Sequence, residues 1–193
     1  MDPRVVRTRE AVLDAAAELL VVGGYASLTI DGISRRSGVA RTTIYRHWAS
    51  LPAMLLDVGD RTGLAHVPDT TDDPVADLRE LLRSLAHALD DSEWGRILPS
   101  LVDAAARDPE VRDQKRAFVA QRRDHARSIL SRLVEAGRID AGRDLSLLVD
   151  QLVGPLFYRR LLAHLPIDDD YVDGLIAATL DAEDRRLKAT AWP

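Results

Sequence analysis

The chain contains no cysteine. That excludes disulfide bridges, thiolate metal sites and cysteine nucleophiles together. Lysine is almost as scarce: Lys115 and Lys188 are the two lysines among 26 basic residues, so cationic chemistry rests on arginine. No apolar run approaches the roughly 20 residues that a bilayer-spanning helix needs, and acids at positions 2, 10, 14 and 18 interrupt the first apolar stretch as no secretory signal does. The expectation is a cytoplasmic protein with no membrane partner. The five histidines, 47, 66, 87, 125 and 164, are scattered without ligand spacing, so no metal is expected. Gly23-Gly24 follows no strand and belongs to no phosphate-loop pattern. The acidic runs "DDSE" and "DDD" stand before helices, where aspartate caps and complements the dipole, and no serine or threonine has an activating neighbour in sequence. Neither a cofactor nor enzymatic catalysis is expected.

What remains is a globular composition, 193 residues with 46% hydrophobic and 30% charged side chains, enough to bury a core. The net charge of −5 conceals a segregation. Residues 1–50 hold seven arginines against five acids, while residues 51–193 hold 19 basic and 26 acidic residues. A mildly basic head thus precedes an acidic body. Apolar residues recur at helical spacing throughout and nowhere alternate as in strands. The fold class is all-α: an N-terminal three-helix head, residues 1–50, followed by a helical body, residues 51–193.

The stretch "ISRRSGVARTTIYRHW", Ile33 to Trp48, concentrates polar chemistry in the head. A first helix from about Arg4 to Val22 ends at Gly23-Gly24, which suits a C-cap needing positive φ. Thr29 then caps a short helix that stops at Gly38, and "RTTIYRHW" forms another with Ile44 on its buried side. Two short helices joined by a glycine-containing turn form a helix-turn-helix, whose second helix enters the DNA major groove. Arg41, Thr42 and Thr43, near its start, would face base edges, and Tyr45 and His47 would donate to phosphates. Trp48 is expected in the core, and Asp31 would repel phosphate if it faced the groove.

The segment "SLTIDGISRRSGVARTTIYRHWASLPAML" resembles the DNA-binding head of the TetR/AcrR family of bacterial transcriptional regulators. The resemblance is close over about residues 8–60, with Gly38, Tyr45 and Trp48 matching the family pattern. It implies backbone contacts from Thr29 and Tyr45, with His47 a third. Two positions depart from it. Ala40 stands where the family usually caps the recognition helix with serine or threonine, and Leu51 where it usually places a phosphate-binding lysine; Arg4, Arg7 or Arg9 would have to make up the anchoring.

In the body, Ser50, Asp73, Ser92 and Asp108 read as caps, Pro99 as a point where a helix kinks or restarts, and Gly137 as a helix end. The last helices span about Asp144–Leu165 and Asp169–Glu183, with wider apolar coverage than one core contact requires. "LVGPLFYRRLL" resembles one subgroup of TetR-family C-terminal domains, in which the last two helices pair with their copies in a second subunit. That places Leu156, Phe157, Leu175 and Thr179 at a homodimer interface. Trp94, Phe118 and His125 are the expected walls of an effector pocket. The function expected is a dimeric repressor, released from a palindromic double-stranded DNA operator by a small molecule. A regulator without a ligand and, remotely, a helical enzyme are the alternatives.

Overall fold

The computed structural model describes residues 3–59 and 70–190. Every regular element among them is helical: α1 (Pro3–Gly23), a 3-10 turn (Tyr25–Ser27), α2 (Ile30–Ser37), α3 (Arg41–His47), α4 (Leu51–Gly59), α5 (Pro74–Asp90), α6 (Glu93–Arg107), α7 (Pro109–Glu135), α8 (Leu145–Tyr158) and α9 (Asp169–Thr190). The described residues fall into two compact units, one drawn from Met1–Ala65 and Asp91–Phe118, the other from His66–Asp90 and Val119–Pro193. The sequence expectation divides the chain at residue 50. Packing follows other lines, because α4 and α6 both lie against α1.

In the first unit, Val12, Ala16 and Leu20 form one i, i+4 row on α1 and are buried against its neighbours. The Ser27 hydroxyl donates to the carbonyls of Leu19 (2.7 Å) and Gly24 (2.8 Å), satisfying acceptors that the helix end leaves open. Gly24 takes φ 65° there, a conformation that costs glycine nothing. Ile33, Ile44, Trp48, Met54 and Val58 complete the core. Each fully buried side chain of this size contributes about 1.5–3 kcal/mol relative to exposure. The helix starts follow local chemistry. Ser50 accepts from Ala53 N–H (3.3 Å), Ser92 from Gly95 N–H (3.4 Å) and Asp108 from Glu110 N–H (2.9 Å).

The second unit buries Leu78, Leu82 and Leu89 of α5, Ile129, Leu130 and Leu133 of α7, Leu148 and Leu152 of α8, and Val172 and Ile176 of α9. Arg79 and Arg83 bridge α5 to Asp173 on α9, at 2.8 and 3.0 Å. Among the described residues, Asp77, 3% exposed, is the charged residue that is buried. It accepts from the Thr71 hydroxyl (2.6 Å) and the Thr71 N–H, and pairs with Arg132, whose guanidinium also donates to the Thr71 carbonyl. Gly137, at φ 67°, follows α7 as expected.

Two helices differ from the sequence expectation. α6 does not restart at Pro99 but runs from Glu93 to Arg107. Ile97, Leu98 and Leu101 around the proline are buried, and their packing offsets the one lost backbone bond. The helix expected to reach Leu165 leaves α geometry at Tyr158 and widens into a π-turn, Arg159–Ala163. His164 ends it in the left-handed conformation, φ 51°, with Leu165 N–H donating to the Arg159 carbonyl at 3.0 Å. At the other extreme α9 runs to Thr190, past Glu183.

Candidate nucleic-acid interface

Two helices and one turn build the site. Thr29, in extended conformation, accepts from Gly32 N–H through Oγ1 at 3.0 Å, which starts α2 and leaves the hydroxyl proton for another acceptor. Gly32 is needed for packing: a Cβ there would lie 3.0 Å from Thr29 Oγ1 and 3.3 Å from Leu19 Cδ1. Gly38, at φ 71°, ends α2 with its N–H on the Ser34 carbonyl. The turn is then pinned from both sides, because Ser34 donates to the Val39 carbonyl (2.8 Å) and Val39 N–H donates to Ser37 Oγ (3.2 Å). α3 starts from Ala40 with no side-chain cap, as its methyl group dictates.

Of the seven residues of α3, Ile44 is the buried one. Arg41, Thr42, Tyr45 and Arg46 are exposed, and Thr43 and His47 are half-buried. A helix so polar on every other side has its free face available to a ligand with many acceptors. Arg46, not singled out in the sequence, shares that face one turn beyond Thr42. Trp48 lies in the core, as expected, and its Nε1–H donates to Asp57 of α4 at 2.5 Å. Arg9 of α1 joins the same carboxylate at 2.6 Å and stacks over the Trp48 ring at 5.3 Å. Three helices meet at Asp57, so the recognition helix is held at its end by α1 and α4. Arg9 is therefore engaged inside the head and is not a spare phosphate anchor.

The contact that sequence reasoning missed is that of Asp31. Its Oδ1 lies 2.8 Å from Arg41 Nε on the exposed surface. So placed, the carboxylate occupies Nε and leaves the two terminal guanidinium nitrogens, the pair that reads guanine O6 and N7. An exposed pair of this kind adds little stability. Its consequence is orientation. The i to i+10 spacing of Asp31 and Arg41 has no periodic signature, and the contact arises from the angle between α2 and α3.

The first unit also holds a cavity of about 30 Å³, room for one or two waters. Leu55 of α4, Trp94, Leu98 and Leu101 of α6, and Val111 and Phe118 of α7 give it an apolar lining, and Gln114 and Lys115 are its polar members. The rings of Trp94 and Phe118 stand 5.7 Å apart and tilted by 37°. Two of the three residues expected as pocket walls are thus together. His125 is not with them: it belongs to the second unit, where burial lowers its pKa first, Arg122 lowers it further and Asp77 opposes both.

The expected dimer residues are also divided. Phe157, Leu175 and Thr179 are half-buried, but Leu156 is fully buried inside its own unit. It belongs to the core because it shares the inner row of α8 with Leu148 and Leu152. The exposed apolar residues of that region are Leu147, Tyr158, Leu162 and Leu165. Among the described residues no cluster of three His, Cys, Asp or Glu side chains is placed to hold a metal ion, and no helix is long and apolar enough to cross a membrane.

Residues 12–58 match the family described as bacterial regulatory proteins, tetR family, and residues 67–179 match the tetracyclin repressor-like C-terminal domain. The regulator YdeS of Bacillus subtilis is 31% identical over 177 residues, covering 90% of this chain and 88% of its own. A DNA-binding transcriptional repressor, TetR, of Mycobacteroides abscessus is 30% identical over 181 residues, covering 88% and 90%. Among solved structures, the TetR family transcription regulator SCO0332 shares 37% identity and superposes with a TM-score of 0.70 over 90% of this chain and 97% of its own.

Proposed function

Because the chain belongs to the TetR family of bacterial transcriptional regulators, we propose that it acts as a homodimeric repressor. It binds a palindromic operator through α3 and leaves it when a small molecule enters the cavity of the first unit. DNA binding through a helix-turn-helix is common to the family. The proposal adds this chain's own repressor role, contact residues, dimer and effector. The observation that carries it is the exposed polar face of α3, with Arg41 oriented by Asp31. In this reading Arg41, Thr42 and Thr43 meet base edges, while Thr29, Tyr45 and His47 meet phosphates. The relative from Mycobacteroides abscessus is itself named a repressor, which supports that direction of control.

The cavity supports release because its walls include the helix that holds the head. A Cβ on Gly59, the last residue of α4, would lie 3.1 Å from Trp94 Cζ3 and 3.7 Å from Phe118 Cε2. Parting these rings to admit a ligand displaces the end of α4, whose Asp57 anchors Trp48 and Arg9. A molecule that binds the displaced arrangement better than the DNA-competent one shifts the population by that difference alone.

The reading is tested by selecting bound sequences from a random DNA pool and footprinting the product. A palindrome with half-sites about 34–36 Å apart, or a multiple of that spacing, is expected. On it, Arg41→Ala is expected to cost about 1–3 kcal/mol, with a far smaller loss on random DNA. Asp31→Asn is expected to raise affinity for random DNA, by removing a charge that repels phosphate, and to reduce discrimination at the base pair Arg41 reads. Equal losses on both DNAs for Arg41→Ala would return it to the phosphate contacts, and a pool that yields no preferred sequence would end the reading.

A further inference from the structure

Lys115 is out of keeping with the rest of the chain. Arginine supplies all but two of the basic residues, and one of the two lysines lines the apolar cavity. At the i±3 and i±4 positions of α7, where a helical ion pair would form, stand Val111, Arg112, Phe118 and Val119. Among the described residues Lys115 has no hydrogen bond or ion pair. Burial lowers its pKa, and among the described residues no carboxylate counters the effect. Gln114 beside it is the other polar wall. A half-buried ammonium without a counter-charge, set against six apolar side chains, carries a standing desolvation cost that an anion brought with the ligand relieves.

We infer that the cavity takes a small apolar molecule carrying one carboxylate-type anionic group, its body between Trp94 and Phe118 and its anion on the Lys115 ammonium, with Gln114 as a second donor. This rests on the reading of the cavity as the effector site and adds the ligand class. A cationic or polyhydroxylated effector is disfavoured, because among the described residues the lining offers no carboxylate and one uncharged polar side chain. Lysine suits the position better than arginine would: its compact head is a point charge that pairs with an oxyanion without a planar fork to satisfy.

The test titrates the full chain calorimetrically with octanoate, octanamide and octylamine, which share a chain and differ in charge. Each is then added to the complex with the selected operator. Octanoate is expected to bind about tenfold or more tightly than octanamide, and octylamine more weakly than either. Lys115→Met is expected to bring octanoate and octanamide to equal affinity, while Lys115→Arg retains part of the preference. Equal binding of acid and amide by the unaltered protein, a preference that survives in Lys115→Met, or no binding of any of the three overturns the inference. The comparison within the unaltered protein decides the matter even where the variant fails to fold. The two claims also part cleanly. Octanoate bound with preference on an intact operator complex upholds the anion site and removes the effector role. Octanamide binding equally and dissociating the complex does the reverse.

Discussion

Replacing Arg132 with alanine is expected to destabilise the protein by about 3–5 kcal/mol, the usual cost of leaving one partner of a buried ion pair alone. The Asp77 carboxylate it pairs with is almost wholly inaccessible, whereas Arg132 is about a quarter exposed, so the stranded charge is the expensive one. The loss extends beyond the pair, because Arg132 also donates to the Thr71 carbonyl and Thr71 donates twice to Asp77. Urea unfolding at neutral pH measures it. A double variant, Asp77→Asn with Arg132→Met, is expected to recover much of the stability, since it leaves no buried charge.

The same pair gives the pH dependence a sign. Burial by itself would raise the pKa of Asp77, but the hydrogen bonds from Thr71 and Arg132, with the Arg132 charge, outweigh burial and hold it below the ordinary carboxylate value. A carboxylate with a depressed folded pKa contributes stability that is complete above its unfolded pKa of about 3.9 and is lost as pH falls through the folded value. The difference between the parent protein and Arg132→Ala is therefore largest near neutrality and narrows as pH falls through the Asp77 pKa of the variant, which burial raises once Arg132 is gone, and then through that of the parent. A gap under about 1 kcal/mol at pH 7 would reassign the pair to the weak class of surface ion pairs.

Charging the exposed apolar face with Tyr158→Asp and Leu162→Asp is expected to yield folded monomers that lose about 10²–10⁴-fold in affinity for the palindromic operator, the gain that linking two binding heads supplies. Both side chains are more than half exposed, at 59% and 72%, so aspartate meets solvent within the monomer and the fold survives. Leu156→Asp would give a misleading answer, since a charge at a fully buried position unfolds the unit whatever the subunit does. Sedimentation velocity reports the oligomer, and operator and random DNA titrations report the heads. Single heads retain weak, salt-sensitive binding through phosphates. A double variant that stays dimeric and binds the operator normally would place the subunit contact elsewhere.

The amino-acid sequence by itself determined the features that depend on near neighbours along the chain. Thr29, Ser92 and Asp108 accept from N–H groups two or three residues on, and Gly24, Gly38 and Gly137 adopt positive φ where helices end. The helix-turn-helix was legible for the same reason: its signal lies in sixteen consecutive residues, with Ile44 inward and the polar residues outward by periodicity alone. The interior of α6 at Pro99 and the end of α8 were less legible, because packing of Ile97, Leu98 and Leu101 overrode a local penalty and a π-turn has no composition of its own.

Tertiary structure decided everything that depends on the angle between elements. Leu156 and Leu162 are equally apolar, yet one is buried and the other 72% exposed, because Leu156 lies on the row of α8 that faces α5 and α9 while Leu162 lies in the π-turn beyond that helix. Trp94 and Phe118, 24 positions apart, became the two rings of one cavity, while His125, only seven residues beyond Phe118, went to the other unit. Asp31, in the sequence only a charge that would repel phosphate if it faced the groove, is also the partner of Arg41. Periodicity states that a helix has an inner face. It carries no information about which residues of a distant helix that face will meet, since that is settled by the packing of all the helices at once.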